Sequence, residues 1–158
     1  MIGIISGLIG LAFGLFWLFV GANAVHGPAA TVIAVAGCLI FALAALWIVI
    51  RRRRTRGRRF AAGYYLAAVG AEVVAIVAAQ NWLAAHGQKQ LLFPVIGIIV
   101  GLHFIGLWLA TGDRVFAWLT SAMVAINLAA LLLPLNPDAR RMVSGFGSSA
   151  ALLVAVAA

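Results

Sequence analysis

Long apolar runs recur along this chain with only short polar breaks between them, and that rhythm limits what it can fold into. A helix of about 20 apolar residues crosses about 30 Å of hydrocarbon. Runs of that kind cover about 2–22, 28–50, 60–84, 91–110, 114–133 and 137–158. Hydrophobic residues make up 66% of the chain and charged ones 9%, whereas a soluble domain is roughly half apolar and a quarter charged. Water is a poor solvent for such a surface. The expected fold is all-α, a polytopic transmembrane helical bundle of about six spanning helices, in a single domain over 1–158.

The breaks carry helix punctuation. Asn23-Ala24-Val25-His26-Gly27 reads as a turn, after which Pro28 suits a first helical turn, where its missing N–H costs nothing. His86-Gly87-Gln88-Lys89-Gln90 reads as a polar connection. Asp113 is placed to cap a fifth helix, and Asn136-Pro137-Asp138 combines a cap, a first-turn proline and an acid near the positive end of the dipole. The sixth run has only 17 uncharged residues from Met142 on and is rich in Gly and Ser, so five spans are the alternative to six. Ala22-Asn23-Ala24 has the small-x-small form of a signal-peptidase site. No basic residue precedes that first run, however, and the run is longer than a usual signal core, so a retained helix is expected.

The formal net charge of +8 does not imply nucleic-acid binding, because seven of the eleven basic residues sit together: Arg51, Arg52, Arg53, Arg54, Arg56, Arg58 and Arg59. Such a cluster beside a spanning helix is retained on the cytoplasmic side and touches anionic lipid head groups. Six spans then place both termini in the cytoplasm, with eight basic residues inside and Lys89, Arg140 and Arg141 outside. Trp47, Tyr64, Tyr65, Trp108 and Trp118 fall toward the inner boundary, Trp82 and Trp17 toward the outer one, in the manner of aromatic belts. Localisation in a bacterial cytoplasmic membrane is expected.

Small residues four apart mark Gly3/Gly7 and Ser6/Gly10/Gly14, Gly97/Gly101, and Ser144/Ser148 with Gly145/Ser149. Such spacing lets helix backbones approach closely in lipid. These faces are expected to pack helices together, with a homo-oligomer through them as the second use.

The few polar side chains inside the runs are the functional clue. Glu72 lies 12 residues past Phe60, His103 lies 13 past Gln90 and Asn127 lies 13 past Arg114. At a rise of about 1.5 Å per residue all three sit about 18–20 Å from their helix starts, near the bilayer centre. An acidic residue there costs roughly 3 kcal/mol on insertion scales, so it should face protein or a water-filled cavity. Ala68, Ala75 and Ala79 lie beside Glu72 and leave room for a neighbouring helix, with Tyr65 two turns before it; Thr120 extends a polar stripe from Asn127. The expected site is a proton-titratable or cation-binding Glu72, with His103 as proton-sharing partner and Asn127, Tyr65 and Thr120 around them. The structural alternative is that Glu72 and His103 only fix helix register, and for Asn127 alone the structural use is preferred. At the outer face Asn23, His26, Gln80, Asn81, His86 and Gln88 would hydrate loop ends or, less favourably, form a vestibule.

Metal-ligand spacings, a phosphate-binding glycine loop, Cys-x-x-Cys and a hydrolase triad are all missing from the sequence, so no cofactor, no metal site and no enzymatic activity are expected. Cys38 is the single cysteine. Gly101-Leu102-His103-Phe104, preceded by Pro94-Val95-Ile96-Gly97, resembles small multi-spanning bacterial membrane proteins of unknown function that carry a Gly-Leu-His-Phe motif, over helices three to five. The resemblance implies that His103 belongs to a recurrent pattern and assigns no activity. Two functions are expected from these readings: a small transporter or channel-like protein with a protonatable midplane site, or a scaffold or accessory subunit that binds another helical membrane protein.

Overall fold

A computed structural model describes residues 2–51 and 62–157, with side chains described at 7–50 and 62–157. Among the described residues the chain is entirely helical: α1 (Ile2–Ala22), α2 (Pro28–Arg51), α3 (Ala62–Ala85), a 3₁₀ turn (Lys89–Leu91), α4 (Leu92–Thr111), α5 (Arg114–Leu132) and α6 (Pro137–Ala157). Arg52, Arg53, Arg54, Arg56, Arg58 and Arg59, on which the topology reading depends, lie outside the described residues, as does Phe60. Four helical stretches, Pro28–Ile50, Ala62–Ala85, Lys89–Thr111 and Arg114–Leu132, are long and apolar enough to cross a membrane.

The punctuation operates as its chemistry requires. Pro28 opens α2. Asp113 caps α5 by accepting from the Val115 N–H at 3.1 Å, and Asn136 caps α6 by accepting from the Ala139 N–H at 2.7 Å. Gly87, at φ 68°, closes α3: its N–H donates to the Ala84 carbonyl while the Gln88 N–H donates to that of Leu83, a paired arrangement that needs the left-handed backbone. Arg140, one of the two arginines expected on the outer side, has a structural task. Its Nε donates to the Ala130 carbonyl at 2.9 Å, placing a cation on the C-terminal carbonyls of α5. Arg141 lies over the Phe93 ring, 5.3 Å from its centroid.

Packing does not follow chain order. The main neighbours are α2 with α1, α1 with α6, α6 with α5, α5 with α4 and α4 with α3, and α4 also touches α6. The helix with the most polar buried face, α6, is therefore central, while α2 and α3 form the two flanks. Glycine sets the closest crossing: a Cβ on Gly145 would strike the backbone of Gly21, so α1 and α6 meet backbone to backbone. Gly14 meets Phe41, and Gly97 and Gly101 meet Asn127 and Met123, so these small-residue faces are occupied within the chain.

Trp17, expected toward the outer boundary with Trp82, faces the interior of the bundle. It is fully buried among Val20, Val100, Leu119, Met123, Ala151 and Leu152, because α1 is drawn against α6 and away from the bundle's exterior. Trp82, Trp108 and Trp118 remain exposed.

Candidate functional site

Among the described residues two polar groups form in the bundle, and the expected site residues other than Thr120 divide between them. On α3, alanines at 67, 68, 71, 75, 78 and 79 favour helix and keep the surface shallow. Glu72 stands 13 residues before the end of α3 at Ala85, and His103 stands 11 residues after the start of α4 at Leu92. The two helices are joined by a short turn and run antiparallel, so both residues sit about 16–20 Å from the shared end. They meet there, with His103 Nδ1 3.2 Å from Glu72 Oε2.

The contact has ion-pair distance without hydrogen-bond alignment. His103 Nδ1 is buried and no acceptor lies along its hydrogen direction among the described residues, although the carboxylate oxygen is within reach. The side chains of His103 and Glu72 are 10% and 15% exposed. Tyr65 stands edge-on to the imidazole, 6.1 Å between ring centroids. Below the pair, a Cβ on Gly106 would collide with Ala68, which marks where α3 and α4 are pressed together.

Around the pair lies a cleft of about 240 Å³, lined by Ala68, Ala71, Glu72, Ala75, Ile99, Leu102 and His103. Ala71 and Leu102 are exposed, so the cleft opens sideways on the α3/α4 flank. The alanines expected to admit a neighbouring helix, Ala68 and Ala75, form its walls. Chemically the arrangement can hold and relay a proton between carboxyl and imidazole, or bind a small cation or a polar group that enters from the side.

Asn127 belongs to the second group. Its side chain is fully buried; Nδ2 donates to the Met123 carbonyl at 2.8 Å and to Ser148 Oγ at 2.9 Å, and Ser144 Oγ donates to Oδ1. These bonds tie α5 to α6, so equal depth did not bring Asn127 to Glu72 and His103. Ser144 and Ser148 were visible in the sequence as small residues four apart, but spacing alone does not distinguish packing atoms from hydrogen-bonding partners. Thr120 donates to the Phe116 carbonyl of its own helix at 3.0 Å and is attached to neither group. At the C-terminal end of α3 His86 stacks on Trp82 at 4.3 Å and contacts the Trp82 carbonyl at 2.8 Å, a local closure of a helix end.

The Gly-Leu-His-Phe segment divides its work by residue. Gly101 admits Met123 and Val124 of α5, Leu102 lines the cleft, His103 meets Glu72, and Phe104 stacks on Phe116 at 6.3 Å. No protein family, no characterised protein and no solved structure matches this chain.

Proposed function

We propose that the chain is a multi-pass protein of a bacterial cytoplasmic membrane, a small transporter or channel-like protein in which Glu72 and His103 are the protonatable site at mid-bilayer. The observation that carries this reading is the 3.2 Å approach of carboxylate and imidazole beside an open cleft, halfway along two helices apolar enough to span. Ionisable groups at that depth are expensive to insert and tend to mark ion or substrate pathways. Six spans with both termini cytoplasmic and the arginine-rich segment against anionic head groups complete the reading. Tyr65 packs beside the imidazole and limits how it turns; no catalytic role is assigned to any residue.

The test is proton-linked flux in vesicles containing the purified protein and a trapped pH-sensitive dye. Glu72→Gln should reduce flux to that of protein-free vesicles while leaving the helical circular-dichroism spectrum unchanged. Flux equal to that of the unaltered chain would remove the proposal. A second reading, a scaffold that binds another helical membrane protein, draws support from the flank position of α3, whose packing is with α4 and the adjoining turn. A stoichiometric partner recovered in mild detergent, together with absent flux, would favour it.

A further inference from the structure

We infer that the cleft beside Glu72 and His103 takes a lipid-soluble amine with a small apolar body, which enters neutral from the hydrocarbon and is held there as an ammonium by the Glu72 carboxylate. This names a substrate class for the site proposed above and rests on that reading of its depth in the membrane.

The shape of the cleft selects the body of the ligand. Its mouth lies at the exposed Ala71 and Leu102, with the exposed Val74 one turn on from Ala71, so what enters at mid-bilayer comes out of lipid. A hydrated ion would have to shed its water to arrive there, which is costly; a neutral amine dissolves in the hydrocarbon. Five of the seven lining residues, Ala68, Ala71, Ala75, Ile99 and Leu102, are apolar and suit a hydrocarbon body. The volume of about 240 Å³ is below the roughly 300–1,000 Å³ of pockets for drug-sized ligands, so a single ring or a short chain fits.

The polar pair selects the head of the ligand. Glu72 and His103 line the cleft with 15% and 10% of their side chains exposed. A carboxylate offers about four acceptor positions, and the imidazole approaches it to 3.2 Å without hydrogen-bond alignment, which leaves capacity for a donor from the cleft. With one proton between them the pair is neutral overall, as carboxylate and imidazolium or as acid and imidazole. An arriving amine takes that proton. An N–H bond forms on the amine, the imidazolium N–H or the acid O–H breaks, and ammonium, carboxylate and neutral imidazole remain. Net charge at the site is zero before and after, so no uncompensated charge is left in hydrocarbon. A cation of fixed charge lacks this route, because it leaves the pair with a surplus positive charge unless a proton is first expelled.

The experiment measures binding of radiolabelled phenethylamine to the purified full chain in lipid vesicles, with retention by protein-free vesicles subtracted. Saturable binding is expected. 2-Phenylethanol, which has the ring without a basic nitrogen, and phenethyltrimethylammonium, which has a fixed charge and no N–H, should each compete at least about tenfold more weakly, the ratio expected for one lost charge-assisted hydrogen bond. Glu72→Gln should weaken phenethylamine binding by about the same factor. Ala71→Leu, which fills the mouth and leaves both polar groups in place, should reduce binding as well and serves if Glu72→Gln fails to fold.

Undiminished binding in folded Glu72→Gln or in Ala71→Leu would overturn the amine site, and so would equal competition by the alcohol or the trimethyl compound. Proton flux in the same vesicles separates this result from the transport reading. Flux without saturable amine binding would overturn the amine site alone; amine binding without flux would uphold the site and overturn transport.

Discussion

The two polar groups of this bundle lie in helices of similar length and differ in how completely they are satisfied. In the α5/α6 group, Asn127 uses both amide hydrogens and its carbonyl oxygen on Met123, Ser148 and Ser144 and is sealed from outside. In the α3/α4 group, a carboxylate and an imidazole come within 3.2 Å without alignment, next to a cleft. A completed network fixes one arrangement of helices. An incomplete one retains capacity for a proton, a ligand or another chain. The contrast teaches that burial of a polar residue says little about its use until its bonding capacity has been counted.

The contrast can be broken most severely at Gly97. Any side chain there runs into the Asn127 carboxamide, which three hydrogen bonds hold in place. Gly97→Ala should cost about 2–4 kcal/mol, combining overpacking with lost hydrogen bonds, read as earlier unfolding in a detergent titration with a denaturing surfactant. Next comes Asn127→Ala, which leaves Ser144 and Ser148 without their partner; about 1–2 kcal/mol is expected in the same titration. If Asn127→Ala proved neutral, the claim that the closed group is a structural tie would fail.

Glu72→Gln sharpens the comparison from the other side. Removing an incompletely aligned contact should change stability by less than about 1 kcal/mol, while the vesicle flux described above is lost. A stability loss equal to that of Asn127→Ala would make Glu72 a structural residue instead. The smallest effect belongs to Thr120→Val. Its hydroxyl bonds only to the Phe116 carbonyl one turn back, so unfolding should shift by less than about 0.5 kcal/mol and flux should stay unchanged.

Much of the architecture was legible because it is written locally. Apolar run length located all six helices, and Asp113, Asn136 and Pro28 marked starts that the structure reproduces. The similar depth of Glu72 and His103 was legible as well, counted along each run, but their contact was not, because it depends on how the two helices are turned toward each other. Depth does not reveal rotation about the helix axis, and there the reading of Asn127 was incomplete: at the same level it faces α6. The burial of Trp17 was hidden for a related reason, since nothing in residues 2–22 announces that the nearest neighbour of α1 is the last helix rather than the next.

That pairing of first helix with last has a consequence for biogenesis. The ribosome delivers α1 well before α6 exists, so the crossing at Gly21 and Gly145 can form only after the intervening helices have been threaded into place. Until then the face of α1 around Gly21 is without the helix it packs against, and a ribosome stalled before residue 137 would leave a chain that cannot close.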